Sequence, residues 1–126
     1  MLIEKAYESL RAAELCFAEK LYNSTANRAY YAMFQAMIVA LESRGFRSKG
    51  KQWSHEAAQS TFATERTRWR KFYSSELVSD LLDVLSIRNQ ADYKERNVSG
   101  EDARDALNAA QQFVEAVVTV TKGVKS

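Results

Sequence analysis

The stretch "RNQADY", positions 88–93, sets an arginine, an asparagine, an aspartate and a tyrosine together at the end of a leucine-rich run. Leu77, Leu81, Val84, Arg88 and Ala91 recur at helical spacing, so a helix through them turns Arg88 to the same side as its apolar residues. A guanidinium keeps its charge at physiological pH, and on an apolar seam it needs either a counter-charge or an anion to receive. Two arrangements meet that need. Asp92, one turn further on, can pair with Arg88, for ~0.2–0.5 kcal/mol if the pair is exposed. Alternatively, Arg88, Asn89 and Tyr93 form a phosphate-facing cluster. That cluster requires the helix to end or bend near Asp92, because residue 93 stands ~140° from residue 88 on a continuous helix.

His55 is the only histidine in the chain. Its type suits a general base, since imidazole titrates at ~6.5. Its place beside Ser54, at the expected start of a helix, equally suits a solvent-facing first-turn residue. One histidine and one cysteine, Cys16, leave only carboxylates as further ligands, so no metal site is expected, and no cofactor motif is present. The stretch "ERTRWRKFY" interleaves Arg66, Arg68, Arg70 and Lys71 with Trp69, Phe72 and Tyr73. Cations for phosphates and rings for base stacking are what single-stranded nucleic acid requires. The plainer reading packs the rings under a turn and leaves the cations solvated. Residues 44–71 hold eight basic and two acidic side chains, a local balance of +6 inside a chain of net +2, so the remainder carries −4. That region is the candidate anion-facing surface.

The elements that must carry these residues are helices. The 126 residues are 46% hydrophobic and 27% charged, with no proline and four glycines, which removes helix breakers and supplies little strand-forming material. A chain of this size folds as one domain, 1–126, and buries roughly two-thirds of its unfolded surface. A first helix is expected from Leu2 to about Lys20 on the spacing of Ile3, Ala6, Leu10, Ala13, Phe17 and Leu21. A second should start with Asn23 or Ser24 as N-cap, turn Asn27, Tyr30, Phe34, Met37, Ile38 and Leu41 inward, and stop at Gly45. Tyr30 and Tyr31, 100° apart, should place at least one ring on a packing surface. A mobile basic loop follows, then a helix capped by Ser54 over 55–69, and one capped by Ser74 or Ser75 over 76–93. The last is capped by Ser99, with a seam of Ala103, Leu107, Ala110, Val114, Val117 and Thr121 and a β-branched tail that should fray. The expected fold is all-α, a five-helix up-and-down bundle. The longest uncharged run, 29–41, is 13 residues and too short to span a bilayer. The amino terminus lacks the apolar core of a signal peptide, and lone-cysteine usage suits a reducing compartment, so a cytoplasmic location is expected.

The pairing of "NSTANRAYYAMFQA", opening the second helix, with "RNQADY", closing the fourth, resembles the HEPN domain family, in particular its small stand-alone prokaryotic branch with an R-x-x-A-D-Y signature. The resemblance spans nearly the whole chain. It implies a helical bundle, a homodimer, and membership of a group rich in metal-independent ribonucleases and toxins encoded beside a minimal nucleotidyltransferase antitoxin. It also implies a site. Arg88 matches the family's arginine, Asn89 the polar residue after it, and Tyr93 stands at the position of the family's histidine. Tyrosine, at pKa ~10, donates hydrogen bonds but is a poor base near neutrality. The branch often shows a histidine near position 55, where His55 would replace the missing base. In some relatives the transferase adds AMP to a tyrosine two residues beyond the histidine; that position here is Glu95, which leaves Tyr93 as the acceptor to consider.

Two function classes follow. One is an RNA-directed protein of toxin type, a ribonuclease or a catalytically weakened RNA binder, with Arg88, Asn89, Tyr93 and His55 at its site. The other is a non-enzymatic helical module that binds a protein partner or a nucleotide.

Overall fold

Apolar residues repeat at three- and four-residue intervals through five stretches, and each forms a helix that buries the resulting stripe. The computed structural model describes residues 2–65, 72–93 and 97–124. Within them α1 is Leu2–Ala18, α2 Tyr22–Ser43, α3 His55–Thr64, α4 Ser75–Tyr93 and α5 Gly100–Val124, and no strand is formed among the described residues. The all-α bundle read from the sequence is therefore the fold.

Its centre is α2. Ala26, Ala29, Ala32, Ala36 and Ala40 are fully buried, and these small side chains let α1, α4 and α5 approach closely on several sides. Met33, Met37 and Leu41 fill the space between, against Ala6, Leu10 and Ala13 of α1, Leu81 and Val84 of α4, and Ala110, Phe113, Val114 and Val117 of α5. The short α3 leans on α2, with Ala58 and Phe62 buried. Burial of this kind stabilises by ~25 cal/mol per Å² of apolar surface removed from water.

Three hydroxyl caps hold where the sequence places them. Ser54 accepts the Ala57 N–H at 3.0 Å, Ser74 the Leu77 N–H at 3.1 Å, and Ser99 the Asp102 N–H at 3.0 Å. The start of α2 differs. It begins at Tyr22, ahead of both expected caps, with Leu21 in the cap position and no side-chain cap bond. Asn23 instead accepts the Val98 N–H at 2.8 Å and donates to Asn97 at 3.1 Å, tying the start of α2 to the connection before α5. α2 stops at Ser43, and Gly45 follows with φ +92, a left-handed conformation that glycine adopts without strain. α3 ends at Thr64 rather than running to 69, with Glu65 as its C-cap. The β-branched tail remains helical to Val124, because Val114 and Val117 are buried against the core and Thr121 folds its hydroxyl back onto the Val117 carbonyl at 2.8 Å.

The loop after Gly45 is tied at several points. Arg47 donates to the Glu42 and Phe46 carbonyls, Ser48 to the Gly50 carbonyl, and the Trp53 indole N–H to the Glu42 carboxylate. No helix of the described residues is long and apolar enough to cross a membrane.

Candidate functional site

On α2, Asn27, Tyr30, Tyr31 and Phe34 fall on one face by their three- and four-residue spacing, and α3 begins above that face. The Ser54 cap fixes where the first helical residue, His55, enters. The imidazole stacks on Phe34 at 4.0 Å between centroids and 7° between planes, overlies Tyr30 at 5.6 Å and meets Tyr31 edge-on at 5.5 Å. His55 is thus a half-buried residue walled by three rings, not a solvent-facing first-turn histidine.

Its Nδ1 lies 2.7 Å from the hydroxyl of Tyr30, which also accepts from the Gln59 amide at 2.8 Å. Tyr30 is 1% exposed, so its hydroxyl is held by the fold rather than by solvent. Burial raises the Tyr30 pKa above 10.0, against the opposing effects of the Gln59 hydrogen bond and the Arg88 charge. α4 brings Arg88 to the same ring, with its guanidinium carbon 5.0 Å from the Tyr30 centroid and its Nε shut off from solvent. The seam position expected from spacing is therefore where Arg88 stands. Burial first, and the Arg88 cation second, lower the His55 pKa below 6.5, so the imidazole is neutral at physiological pH. A second cation, Arg28, lies 4.8 Å over the Tyr31 ring and donates to Asn27.

The other sequence-derived candidates separate. Asn89 is exposed, one residue and about 100° around α4 from Arg88. α4 runs unbroken through Tyr93, so its backbone at 93 stands ~140° from Arg88. The side chains of Asp92 and Tyr93 lie outside what is described, as do residues 66–71, which include Arg66, Arg68, Arg70 and Lys71. Of the rings beside those cations, Tyr73 is 3% exposed and packs against Phe62 and Phe113, and burial pushes its hydroxyl up to about 12. It is a core residue and offers no face to a base. Phe72 is exposed, with the Arg44 guanidinium over its ring at 3.8 Å.

Charge is divided between two clefts. One, of about 440 Å³, lies between the basic loop and α3 and is lined by Arg47, Lys49, Trp53 and Ser54, next in sequence to His55. The other, of about 590 Å³ between α4 and α5, is lined by Glu76, Asp80, Asp83, Asp102 and Asp105. Burial, then Asp83 and Glu76, raise the Asp80 pKa, as expected where like charges crowd. Among the described residues no group of three or more His, Cys, Asp or Glu side chains is placed to hold a metal ion.

What spacing did not disclose is the partnership of Tyr30 and Gln59 with His55. Its sequence signal was faint: a polar residue one turn after the histidine, and a tyrosine on the inward stripe of α2.

Comparison with known proteins places the chain in a family. The chain is similar to a protein of Methanocaldococcus jannaschii that carries the name "Putative toxin MJ0605", with 27% identity over 124 residues, 98% of this chain and 88% of the relative. The family model of the HEPN domain matches residues 1–122. The helical bundle and this match over almost the whole length make the chain a member of the HEPN domain family.

Proposed function

We propose that this chain is an RNA-directed HEPN protein of toxin type, a metal-independent ribonuclease whose reacting groups are His55 and Arg88. The observation that carries the reading is the His55 imidazole, bonded through Nδ1 to a buried tyrosine, beside an arginine that the fold holds on an apolar seam. Family membership and the toxin name of the archaeal relative support it. With Nδ1 engaged, Nε2 is the nitrogen left for substrate. When the ring proton is on Nδ1, Nε2 takes the proton of an RNA 2′-hydroxyl as the 2′-oxygen attacks the adjacent phosphorus. The bond to the 5′-oxygen breaks, and that oxygen takes the proton, giving a 2′,3′-cyclic phosphate and a free 5′-hydroxyl. Arg88 stabilises the charge that gathers on the phosphoryl oxygens.

His55 in this scheme supplies the base that the family places at the position of Tyr93. The cations Arg66, Arg68, Arg70 and Lys71 supply further phosphate contacts to the RNA. Two copies face one another as a homodimer, paired with a minimal nucleotidyltransferase as antitoxin.

Incubating the purified chain with total cellular RNA in the presence of a chelator tests this. Wild type should generate cyclic-phosphate ends, and Arg88→Ala and His55→Ala should lose activity by ~10²-fold or more. If wild type and Arg88→Ala behave identically, the site is not nucleolytic. RNA binding that weakens steeply with salt would then leave an RNA binder. No binding at low salt would leave an interaction module.

A further inference from the structure

The Tyr30 hydroxyl has one proton and two polar neighbours among the described residues, His55 Nδ1 at 2.7 Å and the Gln59 amide at 2.8 Å. Only two arrangements satisfy all three groups. In the first, the Gln59 N–H donates to Tyr30 and Tyr30 donates to Nδ1, so a neutral His55 carries its proton on Nε2. In the second, the Gln59 amide is turned by 180°, Tyr30 donates to its carbonyl, and His55 donates from Nδ1, so Nε2 is unprotonated. The Gln59 nitrogen stands toward the hydroxyl, the placement that the first arrangement requires. Tyr30 is 1% exposed, so bulk water does not substitute for either neighbour. The two hydrogen bonds must reverse together.

We propose that Gln59 is a positioning residue that, acting through the Tyr30 hydroxyl, decides which nitrogen of His55 carries the ring proton. The role rests on the ribonuclease reading above. In the first arrangement Nε2 is a donor and cannot accept the 2′-hydroxyl proton. In the second it is the base, and the imidazolium formed on proton transfer remains bonded to Tyr30 from Nδ1 until Nε2 delivers the proton to the leaving 5′-oxygen. The amide of Gln59 is thus the difference between a resting and a reactive histidine. Its location on α3, one turn from His55, keeps the three groups in register as that helix docks on α2.

The chain has a single histidine, so its ring nitrogens are read directly by two-bond 1H–15N NMR on the full-length labelled protein, without RNA and well above pH ~6.5. Wild type should show the proton on Nε2. Gln59→Met removes the amide, leaves Tyr30 only Nδ1 to donate to, and should match wild type. Gln59→Glu places an acceptor-only carboxylate against Tyr30 and should move the proton to Nδ1. In the Tyr30→Phe background Gln59→Glu should leave it on Nε2, which distinguishes the relay from a direct effect of the new charge. An unchanged tautomer in Gln59→Glu, or a change that persists without the Tyr30 hydroxyl, overturns the proposal. Since no cleavage is measured, a failed relay and a failed ribonuclease reading are distinguishable.

Discussion

Replacing Tyr30 by phenylalanine isolates one oxygen atom. The ring contacts stay: Tyr31 at 5.5 Å, Phe34 at 6.2 Å, His55 at 5.6 Å and the Arg88 guanidinium at 5.0 Å all engage the ring itself. No cavity larger than a hydroxyl opens. What is lost is two hydrogen bonds, to His55 Nδ1 and from Gln59. Each is worth ~0.5–1.5 kcal/mol net, and more where the abandoned partner cannot reach water. His55 and Gln59 are both half-buried, so water reaches them in part and the total should fall at ~1–2 kcal/mol. With an unfolding entropy of ~2.1 cal/mol/K per residue, each kcal/mol lowers the melting temperature of this chain by ~4 °C, so a drop of ~4–8 °C is expected. Urea unfolding should show a lower midpoint at unchanged slope. Tyr31→Phe is the internal control: the Tyr31 ring has partners but its hydroxyl has none among the described residues, and the change should stay within ~0.5 kcal/mol. Equal stability of Tyr30→Phe and wild type would refute the claim that this hydroxyl is bonded on both sides.

Two further outcomes follow from the same cluster. His55 should titrate below 6.5 by NMR, and Arg88→Gln should raise its midpoint without restoring the full value, because burial is the larger cause and remains. The unfolded chain then binds the proton more readily than the folded one. This contribution to stability is complete above pH ~6.5 and is lost as pH falls from there through the folded pKa. Ser54→Ala should cost ~1 kcal/mol, since the Ala57 N–H loses its cap, and should broaden the His55 ring resonances while leaving those of Tyr73 sharp.

Local signals carried well into three dimensions and long-range ones did not. Ser54, Ser74 and Ser99 are caps because a hydroxyl just before an apolar-periodic run has its acceptor role decided within three residues. Asn23 has the same chemistry in the same kind of place, yet its oxygen serves Val98, 75 positions away, and no local rule anticipates that competitor. The spacing of Leu77, Leu81 and Val84 was enough to turn Arg88 inward, because periodicity records which way a helix faces. What Arg88 would meet there was beyond it. The meeting of Arg88, Tyr30 and His55 depends on how α3 and α4 both dock on α2, which is a property of packing. Tyr73 shows the converse: in sequence it belongs with the basic aromatic stretch, whereas its ring completes a core cluster with Phe62 and Phe113.

The central position of α2 bears on how the proposed toxin activity can be lost under selection. Tyr30 and Phe34 support the histidine from the same turns whose neighbours, Met33 and Met37, are fully buried in the bundle. Changes to that helix therefore act on abundance, through unfolding and proteolysis, as strongly as on chemistry. His55 and Arg88 reach the cluster from α3 and α4 and are themselves only half-buried, so either can be replaced with most of the core intact. Escape mutants recovered from cells should then sort into two populations by immunoblot, those that deplete the protein through α2 and those that leave it at normal levels with residue 55 or 88 altered.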